Sequence, residues 1–345
     1  MTGDPGPAGL LGRLDAYQQR HRRLGLPVAV AYKFSDDQGG YLAALITYYG
    51  FLSLFPMLLL LVTVLGFALH GDPQLQQQVL HSALSQFPVI GDQIGHNIHS
   101  FQGSGPALAV GIAGSLYGAL GVAQAIQNAF DTVWAVPRHR RRNAAAARLR
   151  GLPLLGLLGA AVGSSGALAA VTAAPQAGPG WFGLGLRIGA VPVSVAIDTG
   201  LLLLGLKLLT DRHLRARQLW PEALGAALVW QALLALGTYY IGHALRGATA
   251  TYGLFGIVLG LMAWIYLAAL TLVLCAESAA VRVRRLWPRG LTAPFSDAAP
   301  LTEADRLAYT SYATAAAGTA RAEVAVAFPP AQAASPPPER SEPMR

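Results

Sequence analysis

The sequence predicts an all-α fold: a polytopic transmembrane bundle of six helices, N-in and C-in, with an amphipathic outer segment and a largely disordered C-terminal tail. Three observations predict it. Of 345 residues, 53% are hydrophobic and only 12% are charged, with a mean hydropathy of +0.43, whereas soluble domains carry about a quarter charged residues. Several apolar runs reach the roughly 20 residues that a helix needs to cross a hydrocarbon core about 30 Å thick. Lys and Arg, finally, gather in alternate loops, as they do on the cytoplasmic side of membrane proteins. With no water to satisfy the backbone, helices are the natural solution for such runs.

The runs follow in order. The first, AALITYYGFLSLFPMLLLLVTVLGFAL, covers 43–69, and Ser35, Asp36 and Asp37 supply capping chemistry ahead of it. Pro56 lies inside it, which predicts a kink that frees the carbonyl of Leu52. The second runs from Pro106 to Ala129, the third over 150–174 up to Pro175, and the fourth over 184–209. The fifth covers 221–244, with Pro221 as a first-turn residue, and the sixth runs from Tyr252 to Val281. Between the first two lies 70–105, where Leu75, Val79, Leu80, Leu84 and Phe87 share a helical face. That pattern predicts amphipathic helices on the outer interface, with a mobile loop as the alternative.

Orientation comes from the loops. Arg13, Arg20, Arg22, Arg23 and Lys33 precede the first run. Arg138, Arg140, Arg141 and Arg142 follow the second, Arg212, Arg215 and Arg217 the fourth, and Arg282, Arg284, Arg285 and Arg289 the sixth. Residues 70–105 and 175–183 hold no Lys or Arg. An even helix count keeps this alternation intact. The chain divides into a cytoplasmic N-terminal segment at 1–40, a transmembrane domain at 41–285 and a cytoplasmic tail at 286–345. No cleavable signal is visible in the polar residues 1–40, so the first spanning helix is expected to act as an uncleaved anchor. The tail is rich in Ala, Pro, Ser and charge, a composition expected to bury too little apolar surface to fold alone.

The net charge of +8 fits cationic loops against an anionic inner leaflet better than nucleic acid, because no aromatic-basic groove accompanies it. A single cysteine, Cys275, excludes an intrachain disulfide and a cysteine-built metal site. His96, His99 and Asp92 lack a further ligand at metal spacing, so no metal and no cofactor is expected. Neither a phosphate-cradling loop nor a nucleophile elbow is present.

Polar residues inside the runs are the candidates for chemistry. Tyr117, Gly121, Gln124, Asn128 and Asp131 recur at spacings of 4, 3, 4 and 3, which puts them on one helical face. Such a stripe belongs against protein or a water-filled cavity: either a hydrophilic pathway, or interhelical hydrogen bonds worth about 0.6 kcal/mol each. Asp198 sits near the centre of the fourth run, where a carboxylate costs roughly 2.5–3.5 kcal/mol on insertion scales. It has either a proton or substrate role or a hydrogen-bonded packing role. Glu277, near the inner end of the sixth run, is expected to pair with the basic loop after the second helix. Small-xxx-small pairs such as Gly114/Gly118 and Gly256/Gly260 signal close helix packing. One shared polar cavity is expected to join Gln124, Asn128 and Asp198, with Tyr49 nearby, because polar groups offset each other's desolvation.

Several segments, in order, resemble the YihY/BrkB family of bacterial inner-membrane proteins. In the first run, Ala44, Tyr48, Tyr49, Ser53, Leu54, Phe55 and Pro56 carry the likeness. AIQNAFDTVWAVPRHRRR carries it through Asn128, Trp134 and the basic loop, and WPEALGAALVW at the entry to the fifth helix. The last helix carries it through Tyr252, Gly253, Trp264, Tyr266 and Glu277. Together these span about 30–290. Cys275 replaces the glycine usual before the family's Ala-Glu pair, which argues against very close backbone approach there. The resemblance implies a six-helix bundle in the bacterial inner membrane. Members have carried a ribonuclease BN label and a virulence or serum-resistance label; clustered metal ligands for a hydrolytic nuclease are missing here. The leading expectation is a non-enzymatic transporter or lipid-handling protein, with the bilayer and a lipid or small solute as partners. The alternative is a non-catalytic envelope structural or interaction protein.

Overall fold

A computed structural model describes residues 10–68, 105–141, 181–210, 214–243, 245–293 and 300–328, with scattered positions between 151 and 160. The described residues are helical, with no strand among them. Helix α1 is Leu10–Arg20, α2 is Arg22–Asp36 and α3 is Gly39–Ala68. Helix α4 is Gly105–Val133, α5 is Trp181–Leu209 and α6 is Ala216–His243. Helix α7 is Leu245–Val283 and α8 is Glu303–Ala315. Among the described residues, three stretches are long and apolar enough to cross a membrane: Gly189–Leu209, Ala216–Leu236 and Val258–Val283.

Helices α3 to α7 cover five of the expected runs, with shifted ends. Helix α3 continues through position 56. The Ser35–Asp37 segment does not cap it: Asp36 ends α2, and a turn with Gln38 at φ 55 leads into Gly39. Helix α6 begins five residues before Pro221, so that proline sits beyond the first turn. Most of the third run, the outer segment 70–105 with His96, His99 and Asp92, and residues 329–345 lie outside the described residues.

The chain forms two compact units. The larger comprises 34–134 and 142–279. Its helices satisfy hydroxyls internally: Thr47 donates to the Ala43 carbonyl, Thr199 to Val195 and Thr271 to Leu267, at 2.6–2.8 Å. A hydroxyl bonded within its own helix costs little in lipid. Helices α3 and α4 cross where small residues permit it. A Cβ on Gly118 would collide with the backbone and side chain of Ser53, and one on Gly121 with the ring of Tyr49. Gly50 faces Ile265 of α7, and a Cβ there would lie 3.1 Å from that side chain.

The smaller unit comprises 1–33, 135–141 and 280–345. Its apolar core joins Ala29 of α2, Val281 of α7, Leu286 and Ala308 of α8. At its centre Arg289 and Asp305 form an ion pair at 2.9 Å, the two side chains 1% and 0% exposed. The guanidinium lies between the rings of Tyr32 and Tyr309, 5.7 and 5.4 Å from their centroids. The other Asp305 oxygen accepts from Gly290 N, Thr302 N and Thr302 Oγ1. Thr302 in turn caps α8 by accepting from Asp305 N, closing a reciprocal capping box. Asp15 accepts from Leu291 N, and Gln18 donates to the Arg289 carbonyl. The Tyr32 hydroxyl donates to the Leu291 carbonyl at 2.8 Å. His139 N donates to the Ala317 carbonyl, tying the 138–140 turn to the chain after α8.

The expected disordered tail therefore differs from what residues 286–293 and 300–328 do. They are rich in alanine and poor in large apolar side chains, but they bury an ion pair with matched donors and pack Ala308 against the N-terminal helices and the end of α7. Composition measures what a segment can bury by itself, and this one folds on a surface supplied by distant parts of the chain.

Candidate intramembrane site

Two polar side chains meet within the spans of α5 and α6. Gln231 Nε2 donates to Asp198 Oδ2 at 2.8 Å. A carboxyl and an amide on adjacent apolar helices satisfy each other, which offsets the cost of burying either in hydrocarbon. Asp198 is 6% exposed. With one oxygen engaged, its carboxyl keeps further hydrogen-bonding capacity.

Asp198 also lines a cavity of about 340 Å³ inside the larger unit. Helices α3, α4, α5, α6 and α7 all contribute to its wall, and among the described lining residues Asp198 is the one ionisable group. Ile46, Ile126, Leu202 and Leu206 make it apolar. Trp230 and Trp264 add an aromatic corner, their rings 6.4 Å apart and tilted by 51°. A small volume with apolar walls and one fixed polar group suits an amphipathic ligand: the walls bind its body and the polar group orients it.

The polar stripe of α4 is not part of this wall. Val122 and Ile126, on another face, line the cavity instead of Gln124 and Asn128. Tyr117 is 66% exposed and Asn128 is exposed; Gln124 and Asp131 are half-buried. Within the stripe, Gly121 packs on Tyr49. Tyr49 and the exposed Tyr48 meet edge to face at 5.3 Å. Of the expected group of Gln124, Asn128 and Asp198, Asp198 is the one that lines this cavity, and its carboxyl bonds to Gln231.

Gln231 was not singled out by the sequence reading, although a signal existed. If the loop at 210–215 joins two antiparallel helices, Asp198 and Gln231 fall at comparable depth on either side of it. An isolated amide in WQALLALG was then the natural partner for an isolated carboxyl.

Trp134 and Glu277 are buried, the latter completely. Pro56, Tyr252 and Gly253 fall on helical backbone, their side chains outside the described set. Cys275 is buried and its Sγ donates to the Glu222 carbonyl at 3.4 Å, so α7 meets α6 there through a side chain. Among the described residues no group of three or more His, Cys, Asp or Glu could hold a metal.

Apolar helices long enough to span, with self-satisfied hydroxyls and a polar pair within the spans, define a helical membrane protein. The chain belongs to the family described as Virulence factor BrkB, the YihY family, whose model matches residues 30–297. No curated protein and no solved structure matches the chain.

Proposed function

We propose that this chain is a multi-pass protein of the bacterial inner membrane, with six spanning helices and both ends inside, that binds and moves an amphipathic molecule of the lipid class. The observation that carries the reading is the apolar cavity of about 340 Å³ with Asp198, held by Gln231, as the one ionisable group among its described lining residues. A ligand with an apolar body and a hydrogen-bonding head matches such a wall better than an inorganic ion, which needs several polar ligands. No side chain takes a catalytic role in this reading.

The test is reconstitution of the full chain into liposomes carrying a fluorescent phospholipid, with transbilayer movement followed by quenching from outside. Wild-type protein should accelerate movement. Asp198→Leu should abolish the acceleration, and Asp198→Asn should retain part of it, because the amide oxygen still accepts from Gln231. Trp264→Ala should slow it by enlarging the wall. Wild-type protein that moves neither lipids nor small amphipathic solutes sinks the reading. A second reading, an envelope structural protein working through its terminal segments, draws support from the ordered unit around Arg289 and Asp305, and that negative result would favour it.

A further inference from the structure

Helix α1 is amphipathic with its faces reversed for a helix in water. The side turned into the smaller unit carries polar groups. Gln18 is buried and donates to the Arg289 carbonyl at 2.6 Å, while Asp15 accepts from Leu291 N at 3.0 Å. The outward side carries two large apolar ones, Leu14 at 54% and Tyr17 at 53% exposed, beside the exposed Arg13, Gln19 and Arg20. Leu24, at the start of α2, is 46% exposed as well. Apolar residues normally face the core of such a helix and polar ones face water. Here hydrogen bonds to backbone fix the orientation, so the exposure of Leu14 and Tyr17 is not a matter of a free helix rolling.

The basic residues of the helix point to what covers that face. Arg13, Tyr17 and Arg20 recur at i, i+4 and i+7, so the two exposed arginines flank the exposed tyrosine on one face. Long arginine stems lie along apolar surface while their heads reach phosphate, and tyrosine favours the boundary between acyl chain and headgroup. Arg138, Arg140 and Arg285 of the same unit are also exposed, and no exposed acidic residue lies on α1 to offset them. A protein partner for this face would need a matching acidic surface. The chain already lies in a bilayer through α5, α6 and α7, and such a membrane presents anionic phosphates within reach of any juxtamembrane helix.

We propose that α1 is an in-plane membrane anchor, seated at the headgroup boundary of the anionic inner leaflet through Leu14, Tyr17 and Leu24, with Arg13 and Arg20 on lipid phosphates. The smaller unit is then held to the membrane surface by lipid contacts of its own, apart from the spanning helices. This inference rests on the proposed topology with both ends inside and is independent of what the intramembrane cavity binds.

The test uses the full chain reconstituted in phosphatidylcholine vesicles containing phosphatidylglycerol, with nitroxide labels on single cysteines in a Cys275→Ala background. Labels at Leu14→Cys, Tyr17→Cys and Leu24→Cys should be relaxed by oxygen, which concentrates in lipid, far more than by a water-soluble nickel chelate. A label at Gln19→Cys, exposed on another side of α1, should show the reverse preference. In the Arg13→Gln, Arg20→Gln protein, the label at Leu24 should shift measurably toward chelate accessibility. Chelate accessibility at 14, 17 and 24 equal to that at 19 would mean a water-facing helix and overturn the proposal. Protection from both reagents would mean that protein covers the face, a second copy or another partner, and would overturn it equally. If one labelled variant fails to fold, the other two positions carry the same expectation.

Discussion

Arg289 illustrates how one cation can organise several segments. Its charge is matched by Asp305 and by the faces of two tyrosines, while its own carbonyl receives Gln18. Removing one partner of a buried pair is far more damaging than replacing both, because it leaves a charge without its counterpart. Arg289→Ala should therefore cost about 3 kcal/mol, the lower end of the usual 3–5, since Asp305 keeps its bonds from Gly290 and Thr302. Asp305→Ala should cost more, because it also removes half of the α8 capping box. Thermal unfolding of the purified protein would order the two. Tyr32, beside this pair, has its hydroxyl pKa raised, chiefly by burial and next by the negative charge of Asp15. Below the ordinary tyrosine value of about 10 the group is neutral folded and unfolded, and contributes no pH dependence. Above it the unfolded chain loses the proton first, so the folded form binds more protons and stability falls as pH rises. Tyr32→Phe should remove that alkaline fall while losing about 1 kcal/mol for the bond to Leu291 at neutral pH. A melting profile across pH 9–11 with the same slope in both proteins would refute it.

Among the elements, the α3–α4 crossing is the tightest that glycine permits. Gly118 and Gly121 let α4 approach Ser53 and Tyr49 so closely that added carbon has no room. Small residues drive helix association in lipid because packing, not the hydrophobic effect, holds spans together. Gly118→Leu should push the helices apart and destabilise the protein by about 1–3 kcal/mol or more. Gly200→Ala in α5 is the control: a Cβ there meets nothing within 4 Å, so the change should be neutral or slightly stabilising. Melting temperatures in detergent would separate the pair, and equal changes at the two sites would show that the close approach at Gly118 does not govern stability.

At the scale of the whole chain, the terminal segments behave differently from a spanning bundle with loose ends. Deleting 291–345 removes Asp305 and Ala308, leaving Arg289 without its carboxylate and Ala29 without a packing partner. A tail that cannot fold alone would be dispensable; these contacts argue instead that its loss loosens α1 and α2. Limited trypsin digestion should then cut at Arg13 and Arg20 markedly faster in the truncated protein than in the intact one. Unchanged cleavage would show that the N-terminal helices hold without α8. The proposed topology has its own test. Cysteines at Gln77 and Gln176 should react with an impermeant thiol reagent on intact cells, and cysteines at Asn143 and Gln218 should not. Outside labelling of the second pair would end the N-in, six-helix proposal.

The membrane class, the helical content and the helices at the first, second, fourth, fifth and sixth runs were legible in the sequence, because hydrocarbon imposes a length and composition on every span. The family was legible too, through the order of segments such as TYYGFLSLFP and AFDTVW. Helix ends were less so: Ser35–Asp37 offers capping groups, yet the turn at Gln38 places the start of α3 at Gly39. Which polar groups meet could not be read from one helix at a time. The stripe of α4 has the right period, but period fixes only a shared face; the packing of α4 against α3 decided that Val122 and Ile126 line the cavity. The partner of Asp198 lies on another helix, at Gln231. The order of 286–293 and 300–328 likewise belongs to tertiary structure alone. Asp305 and Arg289 gain from burial only where Tyr32, Gly290 and Thr302 supply donors and rings around them, and those arrive from segments far apart in the chain. Composition sets the solvent a segment prefers, whereas the satisfaction of a buried charge depends on neighbours that only the fold brings together.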